Sequence, residues 1–378
     1  MTTPPRFHPL GFDKWKLCQL MGREKLAGIL LTSPENVFYT TGYTALPSSG
    51  NPILFELKDR LPFFSYIDAE GHVTLVCWGF SAEGVSFGAD EIIGFDDFRE
   101  ALKAVADLLK GKLRPIDRLG VESSCPYYAL RLIQDARSQA TAPIAVDALL
   151  TALRMVKSPE EIACLRKSTA IIEQTVSELY QILHTGMSRL DLIQEAKYRM
   201  IKNGATGISH VTFSFAQENP EVAIEERLSA GKLVTLDLGA FYNGYASDNR
   251  RYAYCGSPPD SLRHRYDMMV ALVDGVGEML IPGTRYADIC GKTVALYDQC
   301  GIRPLTRFTH VGHNIGLQTE EAWIDDSPDA EVEIGAVINI ELYSQAQTGE
   351  QIGDEETYVI EPAGPKRISL LPRQIRIV

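Results

Sequence analysis

Residues 233–256 read LVTLDLGAFYNGYASDNRRYAYCG. Asn243-Gly244 is the strongest two-residue hairpin signal in the chain, because both central positions of a type I′ turn need positive φ. With the turn there, Tyr242 faces Tyr245 and the pairing runs back to Gly239 opposite Asp248. Directly opposed residues share a face, and Asp237 lies two places beyond Gly239 on that face. Asp237 and Asp248 are then diagonal neighbours, roughly 7–8 Å apart. Gly239 has no side chain and leaves space between them. Two carboxylates aimed into one gap repel unless a cation or a proton intervenes. The run VTLDLGAF is too apolar for a strand that simply holds two solvated acids.

Three further residues follow in order. THVGHNIGLQTEE carries His313 between glycines, where backbone can approach a site closely. GAVINIELYS reads as a strand with Ile338, Ile340 and Leu342 on one face and Val337, Asn339 and Glu341 on the other. EETYVIEP reads as a strand that begins with Glu355. Carboxylates with one imidazole suit Mn, Co, Fe or Zn rather than Cu(I) or iron–sulfur chemistry. Four acids carry more negative charge than one divalent ion needs, and two ions about 3.5–4 Å apart balance it better.

Upstream of the hairpin, Ser158-Pro159-Glu160-Glu161 is a helix start: an N-cap, a proline tolerated at the first position and acids in the first turn. Helical stretches follow at about 159–184 and 188–203, and the pattern becomes strand-rich after residue 210. Helices first and strands after predict an α+β domain over 151–378, with helices covering one face of an antiparallel sheet. Residues 1–150 alternate instead. Residues 12–25 are helical, AGILLTS is a buried strand, and FFSYI and HVTLVCW flank the turn Asp68–Gly71. EIIGF, FREALKAVADLLKG and RLGVE then read as strand, helix and strand, which predicts an α/β domain with a mixed sheet.

The composition narrows the function. A chain of 378 residues is long enough for two domains, and 45% hydrophobic with 23% charged residues is ordinary for a globular protein. A net charge of -12 argues against an electrostatic grip on nucleic acid or an anionic membrane. No apolar signal core opens the chain and no long apolar run crosses it, so a cytoplasmic location is expected. Seven scattered cysteines without a C-x-x-C pair suit reduced thiols.

In their order and spacing, LDLGAFYNGYASDNRR, GHNIGL, INIELY and EET resemble the metal motifs of the pita-bread metallopeptidase family M24. That family includes methionine aminopeptidase, aminopeptidase P and prolidase. LRMVKSPEEIACLRKS resembles the opening helix of its catalytic domain. LLTSPENVFYTTGY resembles the N-terminal domain of the prolidase, aminopeptidase P and creatinase branch. The resemblance implies an α/β N-terminal domain plus an α+β pita-bread domain, and two divalent ions. Asp237 would hold one metal, Asp248 and Glu355 would bridge the pair, and His313 and Glu341 would complete the other. Glu341 would also shuttle a proton for a bridging hydroxide nucleophile. A small peptide or small molecule as substrate and a homodimer are implied as well.

The chain departs from the family pattern at three places. Glu320 occupies the place of a second His after His313, and Ile224 stands near that of an upstream substrate-contacting His. Gly353 replaces an Arg often found two places before the last Glu ligand. His310 is a candidate to supply part of the missing imidazole function, and Glu320 a candidate proton carrier. Cleavage of Xaa-Pro peptides is the leading expectation. The alternatives are a non-peptidase hydrolase or lyase of a small C–N or C–S bond, similar to ectoine hydrolase, and a binding protein that keeps the metal as a clip.

Overall fold

The computed structural model describes residues 6–137, 141–215, 225–304, 310–345 and 351–378. Ile224 lies outside them. The chain divides into two compact units, Met1–Arg154 and Met155–Val378. Among the described residues no helix is long and apolar enough to cross a membrane.

The first unit is a mixed six-stranded sheet with helices. Its central strand, Gly28–Leu31, runs antiparallel to Phe64–Asp68 and parallel to Leu119–Val121. All four of its residues are buried, which accounts for the unbroken apolar run GILL. The helix Phe98–Lys112 begins at Asp97, whose carboxylate accepts from the amides of Arg99 and Glu100. It buries Ala101, Val105, Leu108 and Leu109 in one stripe at helical spacing.

Among the described residues the second unit has two five-stranded sheets. Six of their strands carry the site and are labelled here β1 (Gly207–Ser214), β2 (Leu233–Tyr242), β3 (Asn249–Tyr254), β4 (Gly312–Asn314), β5 (Val337–Gln345) and β6 (Gln351–Glu361). In one sheet β2 lies between β1 and β3, antiparallel to both. In the other β5 lies between β4 and β6, again antiparallel to both. The helix Pro159–Leu179 starts with a full capping box in which Ser158 and Glu161 satisfy each other's backbone amides. It docks on β2, where the Ser168 hydroxyl donates to Ala240 O at 2.7 Å.

Alternation along the strands separates two faces. Val234, Leu236, Leu238 and Ala240 of β2 join the apolar core formed with the helices Pro159–Leu179 and Arg189–Lys202. Ile338, Ile340 and Leu342 of β5 join a second core with the helices Asp260–Gly277 and Tyr286–Cys300. Each such fully buried aliphatic side chain contributes roughly 1.5–3 kcal/mol. The intervening residues, Asp237 on β2 and Asn339 and Glu341 on β5, point to the opposite face. The two sheets meet where β3 reaches β6, with the Asn249 side-chain amide donating to Glu355 O at 3.3 Å.

Candidate metal centre

The hairpin has the expected turn and register. Asn243 and Gly244 take φ of 50° and 86°, Tyr242 pairs with Tyr245, and the same register continues to Asp237 opposite Arg250. Gly239 keeps its space open for a side chain from its other neighbour. It pairs with His210 of β1, and a Cβ on Gly239 would stand 2.5 Å from the imidazole ring. That ring fills the gap between the two acids. His210 Nε2 lies 3.1 Å from Asp237 Oδ1 and 3.2 Å from Asp248 Oδ1. Among the described residues, His210, Asp237 and Asp248 bring ligand atoms within reach of a single ion.

The other sheet supplies the second half. Glu341 and Glu355 are a direct cross-strand pair, so their carboxylates share a face. Glu355 is not at the start of its strand, as the sequence suggested. β6 begins four residues earlier, at Gln351, and pairing with β5 extends over that polar stretch because Ile352 and Asp354 turn inward. The Tyr343 hydroxyl sits between the two carboxylates, touching Glu341 and lying 2.7 Å from Glu355 Oε1. His313, on β4 opposite Asn339, is fully buried. Its Nε2 is 3.6 Å from Asp248 Oδ2 and 3.7 Å from Glu341 Oε2, with the Asn339 amide nitrogen 3.4 Å away.

Arg250 closes the ring. Its guanidinium bonds to Asp237 Oδ2, its Nε lies 3.0 Å from Glu355 Oε1, and it stacks 4.5 Å from the centre of the Tyr343 ring. The five residues singled out from the sequence therefore converge, through three partners that the sequence reading did not name: His210, Arg250 and Tyr343. The signal for Arg250 was available, since the register that opposes Gly239 to Asp248 also opposes Asp237 to Arg250. Tyr343 was equally accessible, two places after Glu341 on the same face. His210 was not, because β1 pairs with β2 across a long connection and with a register shift at Gly239/Ala240.

The electrostatics are those of crowded, buried acids. Burial, then the neighbouring carboxylates of Asp237 and Asp248, push the Glu355 carboxyl well above its usual range. Burial also raises Glu341, against the pull of His313. Burial opposes the charged form of Asp248, but His210 and His313 outweigh it and hold this carboxyl low. Burial likewise disfavours a charged His210, yet Asp248 and Asp237 raise its pKa well above that of free imidazole. Glu355 Oε2 is buried with no hydrogen-bonding partner among the described residues. An orphaned carboxylate oxygen in a ring of acids and imidazoles is a position that suits a cation.

The remaining two candidates stand apart from the ring. Glu320 is exposed, and its charge is one of the lesser influences that raise His313. The neighbouring Thr319 hydroxyl lies 2.5 Å from that of Ser209, which ties this segment to β1 beside His210. His310 stacks on Trp323, ring centres 4.0 Å apart, and burial lowers its pKa. Trp323 in turn pairs with His313 across the strands. Glu321, next to Glu320, is held by Lys157 at 2.8 Å and by the Leu317 amide.

Comparison with known proteins agrees with this architecture. Residues 163–362 match Metallopeptidase family M24, and residues 15–156 match the Creatinase/Prolidase N-terminal domain. An Xaa-Pro dipeptidase of Pyrococcus horikoshii is 24% identical over 371 residues, covering 95% of this chain and 97% of the relative. An uncharacterized peptidase of Bacillus subtilis is 27% identical over 374 residues, covering 96% and 99%. The crystal structure of the prolidase from Pyrococcus horikoshii OT3 superposes with a TM-score of 0.80 at 22% identity, over 96% of this chain and 99% of that one.

Proposed function

Since this chain belongs to metallopeptidase family M24, we propose that it is a metal-dependent peptidase acting on Xaa-Pro dipeptides or similarly small peptides. The observation that carries the reading is the convergence of Asp237, Asp248, His313, Glu341 and Glu355, four of them buried and Glu341 half-buried, with an oxygen on Glu355 that has no partner among the described residues. These residues would hold a divalent cofactor such as Mn, Co, Zn or Fe. When bound, the metal supplies Lewis acidity for the scissile carbonyl and for water. Four carboxylates leave room, by charge, for the two ions that the sequence resemblance implies. Arg250, which already engages two of those carboxylates, argues for fewer.

The chain's own residues would divide the work as follows. Glu341, whose carboxyl is raised by burial, would take a proton from attacking water and pass it to the leaving amine. Tyr343 holds the Glu341 carboxylate in place from two residues away. His210 orients Asp237 and Asp248 by bonding one oxygen of each. A second reading, hydrolysis of a non-peptide amide or another small C–N bond, is favoured by Glu320, which stands where the family pattern carries a histidine and so marks altered surroundings compatible with a different substrate. Apoprotein reloaded with Mn²⁺ or Co²⁺ is expected to release proline from a panel of Xaa-Pro dipeptides, and Asp237→Asn to abolish that release. Loaded wild-type protein that leaves the whole panel intact would sink the peptidase reading. Metabolite profiling with the same preparation would then look for the second.

A further inference from the structure

By charge alone, the four carboxylates could balance two metal ions. We propose instead that one of the cations is part of the chain: the Arg250 guanidinium occupies the position between Asp237 and Glu355, and the centre takes up a single divalent ion on the side of Asp248, His313 and Glu341. This rests on the metal-binding part of the proposed function and not on its substrate.

Placement comes first. Arg250 is the direct cross-strand partner of Asp237, so the backbone alone sends its side chain to the face that carries the acids. The guanidinium then meets both carboxylates, Asp237 Oδ2 through a terminal nitrogen and Glu355 Oε1 through Nε at 3.0 Å. Asp237 is engaged on both oxygens, since the other already faces His210 Nε2 at 3.1 Å. Neither of its oxygens is left facing away from an N–H donor. Away from the guanidinium stand Glu355 Oε2, with no hydrogen-bond partner among the described residues, and Asp248 Oδ2, His313 Nε2 and Glu341 Oε2. His313 Nε2 already lies within 3.7 Å of both Asp248 and Glu341.

The arrangement is also built for Arg250. Tyr343 packs its ring beneath the guanidinium at 4.5 Å, a cation–π contact in a buried setting. Tyr343 can lie there because its cross-strand partner is Gly353, where any Cβ would overlap the Tyr343 ring. The side chain missing at Gly353 and the one present at Arg250 are thus linked through a single ring. The positive charge in the centre comes from β3. A divalent ion placed beside a fixed guanidinium in a water-poor site is strongly repelled. The guanidinium cannot step aside by losing its proton.

Metal content and electron paramagnetic resonance of Mn²⁺-loaded protein test this without reference to any substrate. Wild-type protein, stripped with chelator, reloaded and dialysed, is expected to hold about one Mn²⁺ per chain and to give the spectrum of an isolated ion. Arg250→Thr is expected to take up a second ion and to show the broadened spectrum of a spin-coupled pair. Arg250→Lys, which keeps the charge, is expected to stay near one. Two coupled ions in the wild-type protein would overturn the proposal, as would no bound ion at all, or a folded Arg250→Thr protein that still holds one. Should Arg250→Thr not fold, the wild-type stoichiometry and spectrum decide alone. A chain that holds one ion yet cleaves no peptide would leave this inference standing while the peptidase reading falls.

Discussion

Arg250 and Arg251 are neighbours on one strand, and so are Asp354, Glu355 and Glu356 on another, yet the two faces they serve treat buried charge in opposite ways. On the helix-packed face every carboxylate oxygen of Asp354 and Glu356 is answered. Asp354 receives the Tyr266 hydroxyl at 3.1 Å and Arg373 at 2.9 Å. Glu356 receives Arg251 at 2.6 Å and the Ser369 hydroxyl. On the other face Arg250 is shared between two strands, Tyr343 between two acids, and Glu355 keeps an oxygen with no partner among the described residues. The same residue types at successive positions are therefore a clamp on one side and a crowded, incompletely partnered set of acids on the other. A buried ion pair that is fully hydrogen-bonded resists disruption, whereas a crowded set of acids is held at a cost that a ligand can relieve.

The sharpest way to break this contrast is to remove one charge from each face without changing shape. Glu355→Gln is expected to lower kcat/KM for the cleaved substrate by ~10³-fold, about 4 kcal/mol of transition-state stabilisation. Its urea midpoint without metal should match or exceed that of wild type, because the raised pKa of Glu355 marks a charge that the apo fold carries unwillingly. Glu356→Gln is expected to do the reverse. It leaves Arg251 without its carboxylate partner in a fully buried position, and breaking such a pair costs about 3 kcal/mol. Turnover per folded molecule should stay near wild type. Equal effects of the two variants on stability would erase the distinction between the faces.

How much of this was readable beforehand depends on the range of the pairing. The Asn243-Gly244 turn sets the register of β2 and β3 locally, so Asp237, Gly239 and the direction of Arg250 follow from counting residues. The alternation of INIELY likewise puts Glu341 and Tyr343 on one face. The match of Glu341 to Glu355 depends on where β6 starts, and a polar stretch such as Gln351–Glu356 carries little strand signal. Its burial comes from β5 and the helix Asp260–Gly277, which no local pattern announces. His210 is the furthest from the sequence's reach. Its place is decided by β1 meeting β2 with a bulge, and the only trace in the sequence was the empty space at Gly239. The two residues proposed in place of family histidines, Glu320 and His310, were named from alignment alone and stand outside the ring of contacts.

A third buried acid, on neither face of the β3–β6 junction, sets the scale for the other two. Glu161 caps the helix Pro159–Leu179, accepting from the Ser158 amide at 2.8 Å and from the Tyr245 hydroxyl at 3.0 Å. Burial raises its pKa, and these hydrogen bonds with the charge of Lys157 only partly compensate. A carboxyl whose pKa is higher in the folded than in the unfolded chain favours folding most at low pH. That contribution is present below the unfolded value, near 4.5, and is lost as the pH climbs through the folded one. Glu161→Gln keeps the capping geometry, because glutamine serves at this position of a capping box, and removes the titration. The variant should lie within about 1 kcal/mol of wild type at neutral pH. Its stability should also lack the decline that wild type shows as the pH rises from 4.5, read by urea unfolding at a series of pH values. A loss as large as that expected for Glu356→Gln would mean that the Glu161 charge is held as firmly as the Arg251 pair. Buried acids outside the candidate metal centre would then divide by partner, and not by face.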